Sequence, residues 1–145
     1  MADGCAFCEI VAGGRPAHIV HDGSVTLAFL DARPVFKGHT LLVPREHYET
    51  LADLPAALIE PLFTDAQALS QAMEDGLGAA GSFVAVNNRV SQSVPHLHVH
   101  VVPRNRKDGL RGFFWPRTRY ADDAEAESYA ARIRTAMASG ATRAR

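Results

Sequence analysis

Several classes of protein are disfavoured by what this chain of 145 residues lacks. Its formal net charge is only −1, which gives no electrostatic reason to expect nucleic acid or an anionic membrane as a partner. No apolar run approaches the roughly 20 residues that a membrane-spanning helix needs. The N-terminus lacks a basic region followed by an apolar one, so we expect a cytoplasmic protein. The length suffices for one domain whose core needs no disulfide staples.

The two cysteines of the chain, Cys5 and Cys8, stand together in the sequence CAFC. In a reducing compartment such a pair is more often half of a metal site or a redox motif than a structural disulfide. A redox motif of the thioredoxin kind would follow a strand and open a helix, whereas almost no chain precedes this pair. A metal site would need two further ligands, and the chain has seven histidines.

The most informative stretch is residues 93–104, SVPHLHVHVVPR. In it His96, His98 and His100 alternate with aliphatic residues, and a period of two is typical of a β-strand with the three imidazoles on one face. The wet face of an antiparallel sheet could carry one such histidine without any function. Three in register favour a functional site, because imidazole attacks phosphorus, shuttles protons and binds metals.

The remaining pattern predicts an α+β fold, a five-stranded, mostly antiparallel sheet with one long helix and a C-terminal helix. Asp53 and Pro55 mark the start of the long helix, and Pro61 is expected to kink it or to split off a short leading helix. Asp122 and Glu125 form a capping-box pattern at the last helix. We expect one domain, 1–145, with a core at 1–104, a basic aromatic loop at 105–120 and the C-terminal helix at 121–138.

The histidine segment resembles the signature of the histidine triad family, in which histidines alternate with hydrophobic residues. The resemblance covers nearly the whole chain, through the segments CAFCEI, LAFLDARPVFKGHTLLVP, PREHYETL and VPHLHVHVVPR. It implies an α+β meander, usually a homodimer, that binds nucleotides and cleaves or transfers at the α-phosphate.

The resemblance implies that His98, the middle histidine, is the nucleophile and forms a nucleotidyl-histidine intermediate. His100 would stabilise charge on the phosphoryl oxygens, and Ser93 would assist the leaving group. The other polar residues that the resemblance places around the phosphates are Asn87, Gln92 and the fourth active-site histidine, His39.

The resemblance also implies a nucleoside pocket. Asp31 would hold the ribose hydroxyls through charge-assisted hydrogen bonds, and Phe29 and Ile10 would line the base pocket. For Phe29 and Ile10 the alternative interpretation is ordinary core packing. For Asp31 it is a turn residue before Pro34.

Four residues match the metal ligands of the zinc-containing members of the family: Cys5, Cys8, His47 and His96. Two thiolates and two imidazoles suit a closed tetrahedral structural zinc site. In this interpretation His96 is a ligand rather than a catalyst, and zinc binding contributes to folding. The alternative is that Cys5 and Cys8 are small buried or free thiols.

Two features depart from the family pattern. Ser91 stands where the family often has glycine, and the loop before His96 is shorter than usual. The basic segment Lys107–Tyr120 has no firm counterpart. One hypothesis is that a residue of this segment, among Arg111, Trp115 and Arg117, reaches an active site and selects the leaving group. The alternative is a solvated basic loop.

These observations predict a nucleotide hydrolase or nucleotidyltransferase that acts on a purine nucleotide or nucleotide conjugate, such as a nucleoside phosphoramidate or a dinucleoside polyphosphate. Three alternatives stay open. They are a phosphorolytic dinucleoside polyphosphate phosphorylase, a nucleotide-binding or interaction module with little turnover, and a structural zinc protein.

Overall fold

In the computed structural model, residues 2–110 and 117–143 are described, and two compact units are present, residues 1–108 and 109–145. The first unit contains two helices and five strands, in the order α1 (Ala6–Val11), β1 (Ile19–Asp22), β2 (Thr26–Leu30), β3 (Thr40–Pro44), α2 (Ala56–Leu77), β4 (Gly81–Val86) and β5 (Val99–Arg104). The second unit contains α3 (Asp123–Arg143). The grouping into one domain with boundaries at 104 and 120 stays a prediction.

The five strands form one antiparallel sheet in the order β1-β2-β3-β5-β4, which confirms the predicted α+β fold. The histidine strand β5 is therefore internal, and β3 and β4 lie on either side of it. His100 pairs with Leu41 of β3 and with Ala85 of β4. Since both neighbours are hydrogen-bonded to it, β5 is a well-anchored support for functional side chains.

The two faces of the sheet bury separate apolar clusters. On one face the α2 stripe packs against alternate strand residues that include Leu42, Val99 and Val101. The other face is covered by α1, and its cluster includes Leu41 and Val43. Because side chains alternate along a strand, Val99 and Val101 of β5 point towards α2, whereas His98 and His100 point towards α1. The predicted single-faced row of imidazoles is thus present.

The boundaries of two elements differ from the prediction. The ladder of β5 begins only at Val99, so His96 and His98 lie in the extended segment that leads into it. The helix α2 is not split at Pro61, because the missing N–H falls within the first turns and removes a single intrahelical hydrogen bond. Asp53 does not cap α2. It belongs to a separate 3-10 helix, Leu51–Asp53, and accepts the backbone N–H of Thr50 at 3.0 Å.

In the second unit, α3 begins with half of the predicted capping box: Asp122 caps the helix, whereas Glu125 bonds one residue further back than a capping box requires. Asp122 accepts the backbone N–H of Glu125 at 2.8 Å, and Glu125 accepts the backbone N–H of Ala121 at 2.5 Å. The predicted apolar stripe of this helix is exposed, at Tyr129, Ile133 and Met137. Among the described residues, no helix combines the length and the apolar character that crossing a bilayer requires.

Candidate active site and metal centre

His98 is buried, with only 3% of its surface exposed. Its Nδ1 lies 2.7 Å from the backbone carbonyl oxygen of His96. Because a carbonyl oxygen can only accept, Nδ1 carries the hydrogen, and the neutral ring then has its lone pair on Nε2. The local backbone therefore holds His98 in the tautomer that a nitrogen nucleophile needs.

A pair of imidazoles, those of His39 and His100, adjoins His98. Nε2 of His39 lies 2.9 Å from Nδ1 of His100, and the His100 ring centroid is 4.9 Å from that of His98. Burial lowers the pKa of His39, and burial, with the neighbouring His98 and His39, lowers the pKa of His100 to about 4. Both rings are therefore uncharged at neutral pH.

The Nε2 atom of His100 is buried, and it has no hydrogen-bond partner within the described residues. A buried polar atom without a partner costs about 1–3 kcal/mol. Such an atom is therefore suited to meet a polar atom of a ligand. It lies on the face of β5 that also carries the His98 ring.

Asp31 follows β2 and lies beside this pair. Its Oδ2 is 3.7 Å from His39 Nε2, and its Oδ1 accepts the backbone N–H of Arg33 at 2.8 Å. One carboxylate oxygen thus stabilises the local turn by a hydrogen bond, and the other faces His39. With 22% of the side chain exposed, it is accessible to a ligand as well.

The base-pocket candidates belong to the apolar cluster under α1. Phe29 is buried, and Ile10 packs against the same cluster. Phe7 contacts both Phe29 and His98: its ring centroid is 5.3 Å from that of Phe29 and 5.1 Å from that of His98, and its plane lies at 84° to the His98 ring. This edge-to-face contact restrains the His98 ring. Burial agrees with both interpretations of Phe29 and Ile10, core and pocket.

The side chain of Gln92 holds the loop that precedes the histidines, by one bond within the loop and one to the backbone of Glu49. Gln92 accepts the backbone N–H of Arg89 at 2.8 Å and donates to the Glu49 carbonyl oxygen at 2.6 Å. Ser91, at the position where glycine was expected, adopts a φ of +60°, in the left-handed region that glycine favours. Asn87 and Ser93, at the two ends of this loop, are exposed.

The four predicted metal ligands lie together. Their ligand atoms are all within 4.8 Å of one another, and Cys5, Cys8 and His96 are buried. The Nδ1 of His96 lies 3.5 Å from each thiol sulfur, and the Nδ1 of His47 lies 3.4 Å from the Cys8 sulfur. Bond lengths of about 2.3 Å to sulfur and 2.0 Å to nitrogen give a tetrahedral S···N edge of roughly 3.5 Å. The donor set and its spacing therefore fit zinc.

Outer contacts also fit a metal centre. Nε2 of His96 lies 2.8 Å from the Pro44 carbonyl oxygen, so it donates there and leaves Nδ1 unprotonated towards the thiols. Burial raises the pKa of the Cys5 thiol, and a bound cation is what would stabilise its thiolate. Since His96 also supplies the carbonyl that fixes His98, one residue belongs to both centres.

The model of the HIT domain, the histidine triad family, matches residues 13–107 of this chain. The chain belongs to the HIT family. Its curated relatives include Protein hit of Bacillus subtilis, 35% identical over 87% of each chain. They also include adenosine 5'-monophosphoramidase hnt1 of Schizosaccharomyces pombe, 32% identical over 77% of this chain and 83% of that one. Adenylylsulfatase HINT3 of Arabidopsis thaliana is 30% identical over 76% of this chain and 57% of its own length.

Solved structures share the HIT fold. SMU.412c from Streptococcus mutans has a TM-score of 0.86 and 30% identity, and the match covers 94% of this chain and 87% of that one. A zinc-bound histidine triad family protein from Mycobacterium smegmatis has a TM-score of 0.71 and 33% identity, over 88% of this chain and 97% of that one.

Three contributors to the HIT site were missed in the sequence. Phe7 stands between the two cysteines, and its aromatic side chain inside CAFC was the signal available. The other two are backbone groups, the Pro44 carbonyl and the Val35 N–H, which lies 3.1 Å from His39 Nδ1. Backbone groups are the same at nearly every position, so no sequence motif points to them.

The prediction for the basic aromatic segment falls partly on residues that the structure does not describe. Arg111 and Trp115 lie outside the described residues, and Arg117 is exposed. The hypothesis that one of them selects the leaving group stays a prediction.

Proposed function

We propose that this chain is a nucleotide hydrolase or nucleotidyltransferase that acts at the α-phosphate through a nucleotidyl-histidine intermediate on His98. The observation that carries the proposal is the hydrogen bond from His98 Nδ1 to the His96 carbonyl, which leaves Nε2 as a neutral nucleophile. Relatives named as an adenylylsulfatase and a monophosphoramidase support this class of reaction.

The reaction proceeds in two displacements. His98 Nε2 attacks the α-phosphorus, a P–N bond forms and leaves the imidazole positively charged, and the bond to the leaving group breaks with its electron pair going to that group, which takes up a proton from solvent. Water or another acceptor then attacks phosphorus and releases a proton to solvent, and the P–N bond breaks with its electron pair returning to Nε2, which restores the neutral imidazole. His100 Nε2 faces the developing negative charge on the phosphoryl oxygens, and the Ser93 hydroxyl assists departure.

The substrate we propose is a purine nucleotide conjugate, either a nucleoside phosphoramidate or a dinucleoside polyphosphate. Asp31 accepts hydrogen bonds from the ribose hydroxyls, and Phe29 and Ile10 contact the base. Asn87 and Gln92 belong to the loop that encloses the phosphates. The names of two relatives, which specify adenylyl and adenosine 5'-monophosphate groups, support an adenine nucleotide.

Turnover of a small panel tests the activity. The panel contains an adenosine phosphoramidate, diadenosine tri- and tetraphosphate, and a nucleotidyl sugar. His98→Ala is expected to lose kcat by a factor on the order of 10⁴ or more, as other enzymes do without their nucleophile. His18→Ala, at an exposed histidine, is the matched control and keeps the wild-type rate. Equal residual turnover by the wild type and His98→Ala would remove the proposal.

We propose that the centre of Cys5, Cys8, His47 and His96 holds a structural zinc ion, which anchors α1 beside the active-site segment. The support is the fit of the donor atoms and the zinc-bound relative. Metal analysis of the purified protein tests it. One zinc per chain is expected in the wild type and in His98→Ala, and none in Cys8→Ala. Zinc missing from the wild type would contradict the assignment.

We also propose a cytoplasmic homodimer with no nucleic-acid or membrane partner. Both cysteines are free thiols, as in a reducing compartment. β4 is an edge strand, and the exposed Val84 of β4 and Phe63 of α2 line one surface depression, which suits a second copy of the sheet. Phe63→Glu is expected to give a monomer in analytical ultracentrifugation. Ile19→Glu, on the opposite edge strand, is expected to stay dimeric, and a wild-type monomer would contradict the proposal.

A further inference from the structure

The loop between β2 and β3 brings a backbone N–H group to the buried histidine pair. The N–H of Val35 points to Nδ1 of His39 at a nitrogen–nitrogen distance of 3.1 Å. The loop turns back on itself through the His39 N–H, which donates to the Phe36 carbonyl at 3.0 Å, and through Gly38, whose φ is +103°. The Val35 side chain is 51% exposed, so its backbone is the part that reaches the site.

This contact fixes where the proton of His39 resides. An amide N–H can only donate, so Nδ1 of His39 must be the unprotonated nitrogen. In a neutral imidazole the proton is then on Nε2. Burial lowers the pKa of His39 although the carboxylate of Asp31 raises it, so the neutral ring is the form present at pH 7.

The proton on His39 in turn fixes the tautomer of His100. Nε2 of His39 lies 2.9 Å from Nδ1 of His100, so His39 donates and His100 accepts there. The Asp31 carboxylate, at 3.7 Å from the same nitrogen, lies beyond hydrogen-bond distance and does not take this bond. The proton of neutral His100 is consequently on its Nε2, the buried atom that has no partner within the described residues.

We propose that the backbone N–H of Val35 is a positioning group for the reaction, which acts through His39 to make His100 Nε2 a hydrogen-bond donor to the phosphoryl oxygens. In this arrangement His39 orients His100 and does not itself touch the substrate. The inference rests on the proposed function, since the donor is useful only where an anionic oxygen develops.

The alternative tautomer would defeat this purpose. With the proton on Nδ1, His100 would present a lone pair to the phosphoryl oxygens, and two acceptors in contact repel each other.

The test compares Val35→Pro, which deletes the N–H, with Val35→Ala, which keeps it. In ¹⁵N-histidine-labelled wild-type protein without substrate, the ¹⁵N shifts are expected to show a protonated Nε2 and a bare Nδ1 for both His39 and His100. In Val35→Pro both rings are expected to show averaged tautomers. Its kcat is expected to fall about 10-fold or more relative to Val35→Ala, with KM within about twofold, as for the loss of a donor used in the transition state.

A second pair of variants decides the question if Val35→Pro does not fold. The side-chain amide of His39→Gln can still donate to His100 Nδ1, whereas His39→Leu cannot. His39→Gln is expected to keep at least ten times the kcat of His39→Leu and the protonated Nε2 of His100. Wild-type His100 with its proton on Nδ1, or equal kcat in the Gln and Leu variants, would overturn the inference.

The two proposals fail in different ways. Loss of the proposed function appears as equal turnover in the wild type and His98→Ala. The tautomer of His100 is measured from ¹⁵N shifts without substrate, so that result does not depend on whether the protein turns over a nucleotide.

Discussion

Acid is expected to destabilise this protein over a defined pH window, because folding holds His100 neutral. Burial and its two neighbouring histidines lower its pKa from 6.5 to about 4. As the pH falls through 6.5 the unfolded chain takes up a proton at this residue, whereas the folded chain does not until about pH 4. The stabilisation is therefore complete above pH 6.5 and is lost as the pH approaches 4.

The magnitude follows from the shift, since each pKa unit corresponds to about 1.36 kcal/mol. The free energy of unfolding is expected to fall by about 2 kcal/mol from this residue between pH 7 and pH 5, and by roughly 3 kcal/mol at pH 4. The pKa values of His39 and His96 are also lowered by burial, so their contributions have the same sign.

Urea unfolding at pH 7, 6, 5 and 4.5 measures this effect in wild type, His100→Asn and His18→Asn under the same zinc concentration. The His100→Asn curve is expected to lose less stability in acid, and its difference from wild type isolates the contribution of His100. His18 is exposed, so its variant is expected to follow the wild type. Parallel curves for wild type and His100→Asn would refute the account of a buried neutral ring.

Three further predictions concern stability. Leu62 of α2 is 1% exposed, so Leu62→Ala is expected to lower the free energy of unfolding in urea by about 3 kcal/mol. Leu77→Ala, at a residue 57% exposed, is expected to lower it by well under 1 kcal/mol, and equal losses would contradict the described core. Gly38→Ala is expected to destabilise the protein by about 1–2 kcal/mol, because φ is +103° and the new Cβ would lie 2.5 Å from the Leu77 side chain. Gly76→Ala, with open space around it in α2, is expected to stabilise the protein by about 0.5 kcal/mol. The opposite order would exclude backbone strain at Gly38. Zinc removal by a chelator is expected to lower Tm by several degrees and zinc addition to restore it; an unchanged Tm would contradict a structural metal.

Local patterns in the sequence accounted for much of the fold. The alternation from His96 to His100 specified an extended backbone and a single face for the imidazoles, because side-chain direction along a strand depends only on position. The apolar spacing of α2 and the turn residues between strands worked in the same way. The start of α2 was less well specified: Asp53, the expected cap, bonds instead to Thr50 at a separate 3-10 helix, and Pro55 stands at the N-cap position of α2 without a side-chain hydrogen bond.

In the candidate site too, some features follow from residue type and spacing, and others depend on the folded chain. Side chains with rare chemistry, the histidines of the triad and the cysteines of CAFC, could be recognised from the sequence by type and spacing. Gln92 stays a predicted phosphate-loop residue, and only the folded chain shows its amide bonded to the Arg89 N–H on one side and to the distant Glu49 carbonyl on the other. A residue's type limits which contacts it can make, and the neighbouring segments decide which of them it does make.

By itself, the sequence determined the strand and helix periods and the row of imidazoles, because both depend on local spacing and side-chain chemistry. The four residues expected to hold zinc came from the family resemblance, since His47 and His96 are distant in sequence from Cys5 and Cys8. The tertiary structure alone decided the protonation of that row. The carbonyls of His96 and Pro44 and the N–H of Val35 set which ring nitrogens carry hydrogen, and burial lowers the pKa of His100. The physical reason is that backbone groups lack any signature in the sequence, and both their placement and the burial of a ring depend on segments distant in the chain.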